Sequence, residues 1–148
     1  MSDPAVVLGN GPSRRLLEPY VDIPYDTFGT NGIIKEFEPT YMLYGDGWSI
    51  KEMAALKKTR RVTDPPPEAV KYAYGSCGAA ALRAACHMGY APVYMIGFDG
   101  NGAGHACPDF GMRKSGRWVA PPWLDDRWGE GFEKVRGEYP DTPIYLMG

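Results

Sequence analysis

Short apolar runs without polar alternation recur along this chain, and segments with helical character separate them. The clearest runs cover residues 5–8, 39–44, 92–99 and 143–147, and a weaker run covers 26–31. Strands that are apolar on both sides are typical of parallel sheets whose two faces are covered by helices. With 148 residues, the chain has room for one such domain and its core. We therefore predict a single α/β domain over residues 1–148 with a mostly parallel sheet.

Helices are predicted in the segments between these runs, on both faces of the sheet. They are expected over residues 14–18, 33–37, 50–61 and 79–88, and Asp125 or Asp126 is expected to cap a last helix. The third of them would end with Arg60 and Arg61 in its last turn. Gly89 is expected to end the fourth, because glycine adopts the left-handed conformation without strain. Residues 100–122 show no periodicity and predict a long irregular loop.

The first apolar run leads directly into a glycine turn, Gly9-Asn10-Gly11, which Pro12 and Ser13 follow. Proline is tolerated at the first position of a helix. A strand, a glycine turn and a helix start together form an anion site, since the helix start offers unpaired N–H groups and a partial positive charge. The turn lacks the third glycine of the dinucleotide fingerprint, where Arg14 stands, and no P-loop Gly-Lys-Ser/Thr follows. A phosphate site and an ordinary strand-to-helix turn both remain open.

Polar residues follow several of the predicted strands at the point where each strand ends. Ligands of such sheets bind beyond the carboxyl ends of the strands, so these residues are expected to share one edge. Two of them are carboxylates that would suit Mg²⁺, although each would equally serve as a cap in its own turn. The residues are Asn10, Asn31, Asp46, Ser76 and Asp99.

A second glycine turn, residues 75–78, precedes the fourth helix and is a second candidate anion site. Cys77 at a helix N-terminus has the setting of a reactive thiol, with His105 as its base, and the alternative is a turn built for close backbone approach. His105 lies in the long loop, and it is the better acid/base candidate of the two histidines. His87 lies in a last helical turn, where the helix dipole gives it a structural role.

The composition excludes several classes of protein. The net charge of −2 lacks the basic excess of a nucleic-acid binder. No apolar run approaches the length of a membrane span, and residues 1–4 lack the features of a signal peptide. The three cysteines, an odd number, predict free thiols in a reducing compartment, with the cytoplasm as the default.

These motifs together resemble a known superfamily. Gly9-Asn10-Gly11-Pro12-Ser13 is similar to the N-terminal motif of bacterial lipooligosaccharide sialyltransferases and of the related 6-hydroxymethylpterin diphosphokinase-like proteins. Thr30-Asn31 matches the asparagine turn after their second strand. Residues 76–99 match a later block with a serine turn, an Ala-rich helix, Gly-Tyr and a strand that ends in Gly-x-Asp. The resemblance covers most of residues 5–99 and implies a Rossmann-like fold.

The sialyltransferase resemblance implies a CMP-sugar donor and a direct displacement at the anomeric carbon. Such a reaction needs a general base and stabilisation of the CMP leaving group. His105 and Asp99 are the catalytic candidates of this interpretation. The candidate nucleotide- or phosphate-binding residues are Gly9, Asn10, Gly11, Ser13, Asn31, Ser76 and Gly78.

The diphosphokinase-like resemblance implies ATP, Mg²⁺ and transfer of a diphosphate, with Asp46 and Asp99 on the metal side. The chain is shorter than the catalytic domain of either family, and His105 follows Asp99 more closely than the catalytic histidine of the family does. The interpretations are therefore a minimal glycosyltransferase, a Mg²⁺-dependent diphosphokinase-like enzyme that uses ATP, and a non-catalytic nucleotide-binding or assembly protein. A short enzyme of either kind could also be a homo-oligomer whose neighbouring copy completes the site.

Overall fold

The computed structural model describes residues 2–30, 33, 37–43, 60–61, 77–98 and 122–147. Six strands of these residues form one sheet, and every neighbouring pair is parallel. The strands are β1 (Ala5–Leu8), β2 (Asp26–Thr30), β3 (Tyr41–Leu43), β4 (Arg60–Arg61), β5 (Val93–Ile96) and β6 (Ile144–Leu146). Their order across the sheet is β4-β3-β2-β1-β5-β6. The predicted α/β fold with a parallel sheet is confirmed.

Helices cover both faces of this sheet, as predicted. Helices α1 (Cys77–His87) and α2 (Pro122–Glu138) share an apolar core with one face. Two short 3₁₀ helices, Pro12–Leu17 and Tyr20–Asp22, precede β2, and Leu17 packs on the core of the other face. None of the helices in the described ranges is long and apolar enough to cross a membrane.

Strand β1 contributes to both cores because it lies in the interior of the sheet, between β2 and β5. All four of its residues are buried. Successive side chains of a strand point to opposite faces, so Ala5 and Val7 pack in the first core while Val6 and Leu8 pack in the second. This double burial explains why the run at 5–8 is continuously apolar.

Helix α1 packs closely on the sheet because its buried positions are mostly alanines. It begins at Cys77, two residues before the predicted start, and it ends at His87. Gly89 follows with a φ of 89°, and its N–H donates to the carbonyl of Cys86. The N–H of Tyr90 donates to the carbonyl of Ala85, which completes a Schellman motif. The predicted glycine cap is confirmed.

Two predictions about secondary structure are wrong. Arg60 and Arg61 do not end a helix, because their backbone pairs in parallel with Tyr41 and Met42 as the edge strand β4. Parallel pairing with β3 outweighs the local helix preference on which the prediction rests, since tertiary contacts readily override intrinsic propensity.

The second error concerns the start of the last helix. Helix α2 begins at Pro122, so Asp125 and Asp126 lie within the helix and do not cap it. Proline is tolerated in the first helical turn, since its missing N–H has no partner there in any helix. The other predicted residues of the third helix, 50–59, and the loop residues 100–121 lie outside the described ranges.

Candidate functional site

The direction in which the sheet grows changes at β1. The chain first adds β2, β3 and β4 on one side of β1, and it later adds β5 and β6 on the other side. In open α/β sheets, ligands bind outside the carboxyl ends of the strands at such a switch point. The candidate site is therefore the region just beyond Leu8 of β1 and Ile96 of β5, which are paired in the sheet.

The two turns that leave β1 and β5 are hydrogen-bonded to each other. The N–H of Gly9 donates to the carbonyl of Ile96 at 2.7 Å, and the N–H of Gly11 donates to the carbonyl of Gly97 at 2.6 Å. The N–H of Gly97 in turn donates to Oγ of Ser13 at 2.9 Å. These bonds join the first glycine motif and the end of β5 into one unit.

Gly9 and Gly97 approach each other too closely for side chains. A Cβ on Gly97 would lie 2.5 Å from the carbonyl oxygen of Gly9, and a Cβ on Gly9 would overlap the carbonyl oxygen of Gly97. Gly97 also has a φ of 88°, a conformation that favours glycine. The glycine that opens the first motif is thus required by the packing of the protein itself.

Arg14 is fully buried beneath the first turn. Its Nη1 donates to Oδ1 of Asn10 at 2.6 Å, and its Nε donates to the hydroxyl of Tyr20 at 3.1 Å. The guanidinium also lies 5.5 Å from the centre of the Tyr20 ring, at cation–π distance. The amide of Asn10 donates to the carbonyl of Thr30 at 2.8 Å, at the end of β2. Arg14 therefore fixes the Asn10 turn against the neighbouring strand.

The amino terminus of α1 lies near the same edge. Helix α1 leads through its Gly89 cap into β5, so it runs antiparallel to the strands and begins at their carboxyl ends. Gly78, in its first turn, packs against Phe98 just after β5, and a Cβ there would lie 2.5 Å from Cε1 of the ring. An α-helix of 11 residues carries a partial positive charge at this end.

The helix that follows the first motif offers less to an anion. Pro12–Leu17 is a 3₁₀ helix of six residues, and the N–H of Arg14 already donates to the carbonyl of Gly11. Pro12 supplies no N–H group. The start of α1 is therefore the better of the two candidate anion positions at this edge.

The described residues include five of the ten predicted site residues. Gly9, Asn10, Gly11, Ser13 and Gly78 all lie at the carboxyl edge near the switch point. The side chains of Asn10 and Ser13 and the N–H groups of Gly9 and Gly11 all form hydrogen bonds within the protein, so these groups hold the turn in place. The predicted residues outside the described ranges are Asn31, Asp46, Ser76, Asp99 and His105.

The predicted metal and thiol chemistry depends on the side chains of Asp46, Asp99, Cys77 and His105, which lie outside the described part of the structure. No group of three or more His, Cys, Asp or Glu residues in these ranges is arranged to hold a metal ion. The predicted Mg²⁺ ligands Asp46 and Asp99 are not among them. Cys86 is a free thiol, but it is buried, and burial raises its pKa to about 11. Near neutral pH it is thus a protonated core residue.

The residues that hold the turns together were not predicted from the sequence. Arg14 is notable in the sequence only as the residue where a fingerprint glycine is absent. Its contact with Asn10 has no helical spacing behind it, because Asn10 precedes the 3₁₀ helix Pro12–Leu17. No local sequence pattern predicts that the Tyr20 hydroxyl accepts the second hydrogen bond of Arg14, or that Gly97 packs against Gly9.

Comparisons of the chain with protein-family models, with curated protein sequences and with solved structures give no match. Function is consequently inferred from the sequence motifs and from the geometry of this edge.

Proposed function

We propose that the protein binds a nucleotide sugar at the carboxyl edge of the sheet, between β1 and β5, and transfers its glycosyl group to an acceptor hydroxyl. The observation that supports the proposal is that three features lie together at the carboxyl edge of the sheet. The switch point of the sheet, the Gly9-Asn10-Gly11 turn and the amino terminus of an 11-residue helix all meet there. Each of these is a recurrent feature of phosphate-binding sites in α/β proteins.

Each part of this edge has a role in the proposed binding. The partial positive charge at the start of α1, where Gly78 lies, attracts the donor phosphate and stabilises the charge that develops as the nucleotide leaves. The turn at Asn10 is held by Arg14 and by the bond from Gly97 to Ser13, so little ordering accompanies binding. His105 is the proposed general base for the acceptor hydroxyl, and Asp99 lies on the chain directly after Phe98.

One observation favours a second candidate, a nucleotide-binding protein without catalysis. Asn10 and Ser13 both form hydrogen bonds within the protein, and these bonds give the first motif a structural role even in the absence of turnover. The two proposals share the binding site and differ in whether a bound donor is cleaved.

Donor cleavage separates the candidates, and the two histidines of the chain provide a matched pair of variants. We expect the protein to release CMP from a CMP-sugar in the presence of a chelator, and we expect His105→Ala to slow this release by about 100-fold or more. His87→Ala should leave the rate unchanged, because His87 lies at the far end of α1, where its Nδ1 is 3.2 Å from the Tyr139 hydroxyl. Nucleotide products are measured by chromatography.

The other outcomes of this measurement are equally informative. Equal rates for wild type and His105→Ala would contradict the assignment of the base. No CMP release from any CMP-sugar, together with saturable CMP binding, would establish the non-catalytic candidate. Mg²⁺-dependent formation of AMP from ATP, lost in Asp46→Asn, would favour the diphosphokinase-like alternative.

A further inference from the structure

The sheet ends on one side with β6, and the outer edge of this strand is open in the described part of the chain. The carbonyl of Pro143 and the N–H of Met147 form hydrogen bonds with β5, at 2.9 and 2.8 Å. Backbone groups of successive residues in a strand point to its two edges alternately. The N–H and C=O groups of Ile144 and Leu146 therefore point to the outer edge. Pro143 faces β5, so its missing N–H does not interrupt that edge.

The side chains of β6 and of the residue after it are apolar and exposed. The exposed fraction is 53% for Tyr145, 63% for Leu146 and 43% for Met147. Tyr145 and Leu146 are neighbours in a strand, so they expose apolar surface on opposite faces of the sheet. Residues 142–147 carry no charge. Edge strands of monomeric proteins usually carry charges or bulges that prevent pairing with other chains, and β6 lacks such charges.

The other edge of the sheet has the opposite character. It is formed by β4, whose two residues are Arg60 and Arg61. Like charges on adjacent strands repel each other, so a second copy of this edge is a poor partner for it. Pairing between copies is thus favoured at β6 alone, which limits such an assembly to two chains.

A row of stacked tyrosine rings crosses the sheet and ends at β6. The ring centres of Tyr25 and Tyr94 are 6.3 Å apart, and those of Tyr94 and Tyr145 are 5.7 Å apart, with interplanar angles of 22° and 24°. Tyr145 is the last ring of the row within the described ranges, and its stacking partner lies on the β5 side only. The row therefore stops at the open edge with a ring that has room for a second aromatic neighbour.

We propose that β6 pairs antiparallel with β6 of a second copy of this chain, about a two-fold axis at Tyr145. Ile144 of each copy then lies opposite Leu146 of the other, and their outward N–H and C=O groups exchange hydrogen bonds. Tyr145 lies opposite its own counterpart in a non-hydrogen-bonded pair, where side chains come closest, so the tyrosine row continues through both copies. One surface serves both chains, as a two-fold interface requires. This dimer does not depend on the proposed nucleotide function, because that site lies between β1 and β5.

Charges at position 145 test the pairing. Tyr145→Lys and Tyr145→Glu each place two like charges opposite each other at the axis, so each variant alone should dimerise at least about tenfold more weakly than wild type. An equimolar mixture of the two variants should form a heterodimer, because the charges are then opposite. Leu16→Lys, which charges an exposed apolar residue of the 3₁₀ helix Pro12–Leu17, is the matched control and should dimerise like wild type. Sedimentation velocity from low to several hundred micromolar protein measures all four samples.

Hydrogen exchange of the wild type locates the interface without any substitution. The amides of Ile144 and Leu146 should exchange more slowly in a concentrated sample than in a dilute one, since pairing covers both N–H groups. Four results would overturn the proposal: a wild type that is monomeric throughout the range, dimerisation of Tyr145→Lys as tight as that of wild type, no heterodimer from two folded variants, and exchange of both amides that is independent of concentration.

Discussion

Gly97→Ala is expected to destabilise the fold by about 3–5 kcal/mol, a large effect for the addition of one methyl group. Two costs add at this position. A φ of 88° costs a residue with a side chain about 1–2 kcal/mol. The new Cβ would also lie 2.5 Å from the backbone carbonyl of Gly9. Relief of that overlap requires the two turns to separate, which breaks the bond from Gly11 to Gly97.

Gly89→Ala is the matched control for this substitution. Gly89 has nearly the same φ, 89°, but a Cβ there meets no atom within 4 Å. Gly89→Ala should therefore lower the free energy of unfolding by only about 1–2 kcal/mol, the cost of the left-handed backbone conformation. Urea unfolding of both variants measures the difference, which isolates the close approach of the two turns. Equal losses in the two variants would show that Gly9 and Gly97 are not in close contact.

Arg14→Ala is expected to cost about 3–4 kcal/mol of unfolding free energy. The substitution removes a fully buried side chain and leaves Oδ1 of Asn10 and the hydroxyl of Tyr20 without the donors that serve them. Arg14→Lys should recover only part of this loss, because an ammonium group lacks the planar fork that reaches both acceptors.

The adjacent arginine provides the control for this prediction. Arg15 also forms a short contact, 2.6 Å to Glu18, but both side chains are close to half exposed. Exposed pairs of this kind contribute about 0–1 kcal/mol, so Arg15→Ala should unfold almost like wild type. Equal stability losses for the two alanine variants, measured by urea unfolding, would contradict the assigned burial of Arg14.

The elements that could be predicted are those with a strong local signal. The run Ala5–Leu8 is apolar because both of its sides are buried, and Gly89 is required by the left-handed cap of α1. β4 has no such signal, since its two arginines join the sheet only by backbone pairing with a strand some 20 residues earlier. The start of α2 was misplaced because the aspartates favoured a later cap than Pro122.

The position of the first glycine turn at the carboxyl edge was predictable from the sequence, but the hydrogen bonds within that turn were not. Strand ends mark the carboxyl edge, and Gly9 and Gly78 were correctly expected near it. The sequence suggests Gly9 as part of a phosphate-binding turn, whereas its immediate neighbour is the carbonyl of Gly97, 88 residues away in the chain. Contacts at that separation leave no periodic pattern in a single sequence.

The most direct measurement of the central claim is the location of nucleotide binding within the fold. Titration of the isotopically labelled protein with CMP should shift the amide resonances of Gly9, Gly11, Gly78 and Phe98 in a saturable way, while those of Glu38 and Tyr41 at the opposite edge stay unchanged. Shifts confined to another region, or the absence of saturable shifts with CMP, CDP, UDP and ATP alike, would contradict the proposal that the carboxyl edge between β1 and β5 is a nucleotide site.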